Sequence, residues 1–249
     1  MIHLAVARTS RPTGGLLKRL LQEHGIVMSE PFRQDPLPRA IVSYGVTIND
    51  TTVPTLNAEA ARHDKLHDLV VLESRQILIP PLEPHCDLPI LARKSRHTRG
   101  SDIRIVLQAE EIEWYRQAGW DYFTEYIPWQ AEYRVWIYRR QHLGTYEKVM
   151  VRPAEYTRTG HSSHHGFAFR ILESARIPRM AVEASVRSVE ALGLDFGAVD
   201  VLHGKDGQFY VLEVNTAPGV ESSERQVIRA LARHIARWVE LDFPPRRSL

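Results

Sequence analysis

The order of its segments marks this 249-residue chain as an α/β protein made of α+β lobes. Three observations lead there. The chain opens strand, helix, strand; its second half carries several strand-like runs joined by turns; and it closes on an amphipathic helix. Hydrophobic residues make up 43% and charged residues 25%, the proportions of an ordinary globular protein with enough apolar side chains for a sizeable core.

Each element has a local reason. His3 to Ala7 is a short apolar strand, and Leu16, Leu17, Leu20 and Leu21 follow at helical spacing, stopped by Gly25. Arg11 to Gly15 lacks the spacing and lysine of a phosphate-binding loop and is expected as a turn into that helix. Ala40 to Val46 is a second strand. Asn57 is expected to cap a helix holding Leu66, Leu69 and Val70, and a Pro-rich connection follows around Pro80, Pro81, Pro84 and Pro89. Pro89 to Lys94 and Ile103 to Leu107 are strands, Ala109 to Ala118 a helix ended by Gly119, and Tyr122 to Ile127 and Tyr133 to Arg139 strands separated by Pro128-Trp129-Gln130. Glu147 to Val151 extends the sheet, residues 152–170 are expected as a long loop, and Val182, Val186 and Val189 share one side of a helix with a Glu183–Arg187 pair on the other. Gly197 to His203 and Phe209 to Val214 flank Gly204-Lys205-Asp206-Gly207, a strong hairpin signal, and Val227, Leu231, Ile235 and Trp238 line the last helix.

Several function classes drop out on composition. The 32 Lys and Arg against 30 Asp and Glu give a net charge of +2, too even for a dedicated nucleic-acid binder. The single cysteine, Cys86, rules out an internal disulfide and a thiolate zinc cluster, and it has no apparent His or Asn partner for catalysis. No apolar run is long enough for a membrane span or, at Met1 to Arg8, for a signal peptide, so the expectation is a soluble cytoplasmic protein that binds neither membrane nor nucleic acid. Trp114, Trp120, Trp129 and Trp136 are expected in the core or at lobe interfaces.

The chemistry concentrates in the last hairpin. If Lys205 to Gln208 form a four-residue turn, Gly204 pairs with Phe209 and Asp200 falls directly opposite Glu213. Asn215 follows by the strand period of two, while Val199, Val201, Tyr210, Leu212 and Val214 form an apolar opposite face. Two opposed carboxylates repel unless a cation lies between them. Magnesium suits such oxygen donors, whereas scattered surface acids paired with nearby Lys or Arg are the plainer alternative.

Asp200, Glu213 and Asn215, with Pro218-Gly219 and Glu221, resemble the closing motif of the ATP-grasp superfamily, particularly the D-alanine:D-alanine ligases and the ligases that add glutamate to ribosomal protein or to small molecules. Other parts resemble the same family in order: Asp64-Lys65, the strand Pro89-Ile-Leu-Ala-Arg-Lys94, the hinge Phe123-Thr-Glu125-Tyr126-Ile127-Pro128, the segment Glu132-Tyr-Arg134, and Lys148. The resemblance spans about residues 57–221. It implies a short amino-terminal lobe (1–56), a middle lobe (57–127) and a carboxy-terminal lobe (128–249), with ATP clamped between the last two. It further implies that Asp200, Glu213 and Asn215 bind magnesium, that Lys65, Lys94 and Lys148 contact phosphates, that Glu125, Tyr126 and Ile127 hold adenine and Glu132 the ribose, and that Arg134 and Lys94 act on the transferring phosphoryl group. The implied reaction joins a carboxylate to an amine (amino acid, peptide or small metabolite) through an acyl phosphate, and the resemblance allows a homodimer.

One departure accompanies it, and one further segment stands out. The loop Ser95 to Asp102 has one glycine where the family has several, which leaves open a nucleotide-binding scaffold or partner-binding protein without turnover. The segment containing Arg152, Arg158, His161, His164, His165 and Arg170 is expected to close over the carboxylate substrate, with Arg152, Arg170 and His161 as binding candidates.

Overall fold

A computed structural model describes residues 2–7, 11–27, 38–46, 48, 52–60, 64–95, 103–153 and 166–243. Its elements are β1 (Ile2–Val6), α1 (Arg11–Glu23), β2 (Ala40–Tyr44), β3 (Thr55–Leu56), α2 (Lys65–Ser74), β4 (Ile90–Arg93), β5 (Ile103–Val106), α3 (Glu110–Gln117), β6 (Tyr122–Glu125), β7 (Trp129–Tyr138), β8 (Gln141–Met150), β9 (Phe167–Ile171), α4 (Arg179–Ala191), β10 (Phe196–Gly204), β11 (Phe209–Asn215) and α5 (Arg225–Asp242). They form three sheets: a parallel β1-β2-β3, an antiparallel β5-β4-β6, and a five-stranded antiparallel sheet ordered β11-β10-β7-β8-β9. Among the described residues no helix is long and apolar enough to cross a membrane.

The five-stranded sheet is the frame, and strand periodicity decides what each face meets. Val135, Ile137, Val199, Val201 and Val211 face one way and pack against Leu69 and Leu72 of α2 and Ala181 and Val189 of α4. On the other face, Trp136, Tyr138, Phe196 and Ala198 pack under α1, α5 and the three-stranded parallel sheet, in one core with Leu17, Leu21, Val42, Leu56, Ile228, Leu231 and Ile235. That second core covers only part of its face. The rest, around Glu132, Arg134 and Asp200, is polar. The β5-β4-β6 sheet has its own core, Ile90, Ala92, Val106 and Phe123 under α3.

Several local expectations are corrected. Arg11 to Gly15 belongs to α1 rather than to a turn, since a proline is tolerated in a helix's first turn and Gly14 lets α1 lie against β1: a Cβ there would fall 2.4 Å from Val6 Cγ1. The cap of α2 is Asp64, whose Oδ1 accepts from the backbone N–H of Leu66 (3.1 Å) and His67 (3.3 Å). Asn57 instead sits buried at φ +54°, its Oδ1 accepting from the N–H of Asp195 (2.7 Å) and Phe196 (3.0 Å) while its Nδ2 donates to the Phe196 carbonyl (2.8 Å). Trp129 and Gln130 join β7, and residues 167–170, expected in a loop, form most of β9. On α4 the ion pair is Arg179–Glu183 at 2.6 Å, because Arg187 donates to the carbonyls of Arg75 and Gln76. Trp136 is buried as expected, whereas Trp114 is 63% exposed on a helix that buries none of its residues.

Asn57→Ala should lower stability by about 3 kcal/mol, since three backbone groups lose their partner, as measured by urea unfolding. A loss under about 0.5 kcal/mol would contradict the assignment of this network as the tie between residue 57 and β10.

Candidate functional site

Strand β10 lies between β7 and β11, and Asp200 opposes Arg134 on one side and Glu213 on the other. The Asp200–Glu213 pairing expected from the sequence is present, but it arises differently. His203, not Gly204, pairs with Phe209, and a bulge at Leu212 then shifts the register so that Val201 pairs with Val211 and Asp200 with Glu213. One extra residue reverses the faces on the turn side of the bulge. Tyr210 and Leu212, expected on the apolar back, therefore cluster on the site side with Leu202, Ile127 and Trp129, and Val211 takes the back position.

The polar patch is a network of three carboxylates and three cations. Arg134 grips Asp200 with two parallel bonds, Nε to Oδ1 at 2.8 Å and Nη2 to Oδ2 at 3.0 Å, the geometry in which a guanidinium fits a carboxylate best. Lys148 donates to Asp200 Oδ2 (3.2 Å) and to Glu132, which is itself buried. Lys65, the first residue of α2, reaches the edge strand and pairs with Glu213 Oε2 at 2.6 Å, while Asn215 Nδ2 donates to Glu213 Oε1 at 3.0 Å. The Phe169 ring lies 4.3 Å from the Arg134 guanidinium carbon and 5.8 Å from Lys148 Nζ, closing the patch on the β9 side.

Electrostatics follow the geometry. Burial works against the charged Glu213 carboxylate, but the Lys65 ammonium and the hydrogen bonds from Lys65 and Asn215 outweigh it and hold the carboxyl well below its usual range. Burial likewise disfavours charged Arg134 and Lys148, yet Asp200, joined at Lys148 by Glu132, pushes both up, so each stays a cation. Behind the patch, the fully buried Glu224 accepts from Trp136 Nε1 (3.2 Å) and the Glu221 N–H (3.1 Å); burial raises its carboxyl, against the pull of Arg134.

Asp200, Glu213, Asn215, Glu132, Arg134, Lys148 and Lys65 are thus brought together. Lys94 is not part of this cluster: following the period of Ile90 and Ala92, it lies on the α3 side of its sheet, with Nζ 5.3 Å from the Trp120 ring centre. Its neighbour Arg93 shares the opposite face with Tyr122 and Thr124, donates from Nε to Thr124 Oγ1 at 3.2 Å, and bonds the Tyr122 hydroxyl, a group that also feels Lys65 and Glu213. Sequence reasoning missed Arg93, although counting alternate residues along β4 singles it out. The hinge is tied on both sides: Glu125 and Tyr126 donate to the Pro81 and Pro89 carbonyls (both 2.9 Å), and the Pro128 carbonyl accepts from Lys205 (2.7 Å). Ile127 contacts Leu202 and Tyr210.

The carboxylate-binding candidates divide. Arg170 pairs at 2.5 Å with Glu147, which lies in register with Tyr133 on the back of the sheet, so it is on the wrong face for the cluster. Arg152 is exposed just beyond β8, where its N–H meets the Gly166 carbonyl at 3.0 Å. His161 and the loop 96–102 lie outside the described residues. Among the described residues no three His, Cys, Asp or Glu gather as a metal site. Asp200, Glu213 and Asn215 nevertheless offer only hard oxygen donors and an amide on two paired strands, a set whose chemistry fits magnesium.

Residues 164–239 match the family model of the RimK-like ATP-grasp domain. A "Probable alpha-L-glutamate ligase" of Enterobacter sp. (strain 638) is 32% identical over 82 residues, 33% of this chain and 26% of that protein; its namesake in Coxiella burnetii is 38% identical over 63 residues, 25% and 21%. The chain thus spans about a quarter of the length of these curated relatives. Among solved structures, the ATP-grasp ligase PsnB complexed with minimal precursor superposes with a TM-score of 0.68 at 15% identity, covering 95% of this chain and 98% of that one. D-alanine–D-alanine ligase from Bacillus anthracis gives 0.65 at 15% (95% and 98%), and a RimK domain protein from Sphaerobacter thermophilus 0.62 at 18% (96% and 99%).

The Lys65–Glu213 pair yields a pH prediction. A carboxyl held below its usual range stabilises the fold above the unfolded pKa of about 4.3, and that contribution is lost as pH falls through the folded value. Lys65→Met should cost about 2 kcal/mol at pH 7, and the gap from wild type should narrow steadily below pH 4 in unfolding experiments. A gap that is constant with pH would contradict the pairing.

Proposed function

Because the chain has the ATP-grasp fold and carries a RimK-like ATP-grasp domain, we propose that it is an ATP- and magnesium-dependent ligase joining a carboxylate to an amine through an acyl phosphate. The observation that carries this reading is the face on which Asp200 opposes both Arg134 and Glu213, with Lys65 and Lys148 beside them. Phosphoryl transfer is mostly positioning and charge neutralisation, and a buried guanidinium fork with two ammonium groups supplies that.

In the proposed reaction a substrate carboxylate oxygen attacks the γ-phosphorus of ATP and ADP leaves. The amine nitrogen then attacks the acyl carbon, inorganic phosphate leaves with the electron pair of the C–O bond, and the nitrogen gives up a proton. Arg134 meets the transferring phosphoryl oxygens, Lys65 and Lys148 neutralise neighbouring phosphate charge, and Arg93 joins them from β4, with Lys94 further out. Ile127, Leu202 and Tyr210 would form an apolar bed for adenine beside the Glu125–Tyr126 backbone, and Glu132 would meet the ribose. Asp200, Glu213 and Asn215 would hold magnesium, which supplies charge neutralisation between phosphate oxygens. The nucleotide would lie beside the Ile127–Pro128 hinge, and lobes at 1–56, 57–127 and 128–249 belong to the same proposal, with α2 packed on the five-stranded sheet rather than with β4, β5 and β6. The names of the glutamate ligases and of the precursor-bound ligase support an amino acid or peptide as a substrate; Arg152 and His161 as carboxylate-side residues, a cytoplasmic location and the homodimer that the family resemblance allows belong to the proposal alone.

The glycine-poor loop after Lys94 supports a second reading, a nucleotide-binding scaffold without turnover. ADP release, measured over a panel of amino acids and peptides with ATP and magnesium, separates the two. The ligase reading expects release for at least one carboxylate–amine pair and a fall of about a hundredfold or more in Arg134→Lys, since an ammonium cannot reproduce the fork. Equal turnover in that variant would overturn the assigned role, and ATP binding without release for every pair would favour the scaffold.

A further inference from the structure

The exposed side of α5 carries charge that the fold itself does not use. Arg225, Arg229, Arg233 and Arg237 recur at i,i+4, all exposed, and residues 225–239 contain no Asp or Glu. Like charges four residues apart on a helix repel, and Arg225 stands at the positive end of the helix dipole, where a cation is disfavoured. The one carboxylate at that end, Glu224, is fully buried and turned to Trp136. None of the four arginines has an acidic partner among the described residues. His234, stacked on Tyr138 beneath the row, has its pKa lowered by burial and then by Arg233 and Arg237, as expected inside a local positive field. An arrangement that is unfavourable for the isolated helix becomes favourable when an anion covers it.

We propose that this arginine row docks an acidic peptide segment of a partner protein. Successive arginines rise about 6 Å along the helix, close to the roughly 6.6 Å between alternate residues of an extended peptide, so acidic side chains at every second position meet one arginine each over about 18 Å. The exposed positions of α5 are Arg225, Gln226, Arg229, Arg233, Arg237, Glu240, Leu241 and Asp242: they include no aromatic side chain on which a nucleobase would stack, and the single apolar one, Leu241, is flanked by two carboxylates and offers no apolar face to insert into a bilayer. The next position of the row is the exposed Leu241, and Glu240 and Asp242 on either side of it set the limit of the peptide. The docking needs no nucleotide, so it stands apart from the ligase reading.

The test is fluorescence anisotropy of the full chain with a labelled eight-residue peptide alternating Glu and Ser, beside a Gln–Ser peptide, a single-stranded RNA and phosphatidylserine vesicles. The expected result is binding of the acidic peptide alone, weakening as salt rises, and reduced about tenfold or more in Arg229→Gln/Arg233→Gln. That double variant should keep its circular dichroism and its ATP-induced thermal shift, so a failure of the row is separable from a failure of the nucleotide site. No binding of the acidic peptide, equal binding by the variant, or tighter binding of RNA or vesicles would each overturn the proposal.

Discussion

The bidentate contact between Arg134 and Asp200 is the interaction around which the rest of the site is arranged. Asp200 is buried at the middle of the sheet with another carboxylate opposite it, and burying such a charge without a partner costs several kcal/mol. The fork supplies that partner. Lys148 then spans Asp200 and Glu132, and Lys65 answers Glu213, so three carboxylates stand against three cations on one face. The cation that the opposed carboxylates demand is thus met by side chains of the protein itself. An anionic ligand that draws the cations toward its own oxygens would release carboxylate oxygens at the same moment, which couples the arrival of a phosphate chain to that of a metal.

The amino-terminal segment, though short, holds the end of this machinery in place. Beyond Asn215, Thr216 donates to the Ala60 carbonyl (2.7 Å), the Pro218 carbonyl accepts from the buried Tyr44 hydroxyl (2.7 Å), and the Val220 N–H meets Thr13 Oγ1 (3.2 Å). Gly45 permits the approach: its φ of +76° suits glycine, and a Cβ there would lie 2.6 Å from that of Ala217. The strand carrying Glu213 and Asn215 is therefore fixed on one side by β10 and beyond its end by β2 and α1.

Much of this was legible in the sequence, because strand periodicity is strong information where one face is core. The facing of Asp200 and Glu213 was legible from the period of two, although the turn register it was counted from differs by one residue. The bulge at Leu212 was not, since a one-residue slip leaves no local signature; the turn pairs His203 with Phe209, which puts Tyr210, Val211 and Leu212 on the opposite sides from those expected, and the bulge restores the acidic pair. Asn57 and Asp64 have similar capping chemistry, and what separates them is that the partners of Asn57 lie about 138 residues away. Arg93 and Lys94 are adjacent cations at a strand end: the family resemblance points to Lys94, and side-chain alternation turns Arg93 toward Tyr122 and Thr124 and Lys94 toward Trp120. Arg170 lies on the back of the sheet because residues 167–171 form a strand, in which alternation decides its side, rather than a loop, in which alternation has no meaning.

The most direct test of the central claim, an electroneutral site closed to a cation until an anion arrives, is calorimetric titration of magnesium into the full chain with and without a non-hydrolysable ATP analogue. Neutrality predicts no saturable magnesium uptake below about 1 mM by the protein alone, and uptake in the submillimolar range once the analogue is bound. Tight magnesium binding to the free protein, lost in Asp200→Asn, would contradict it.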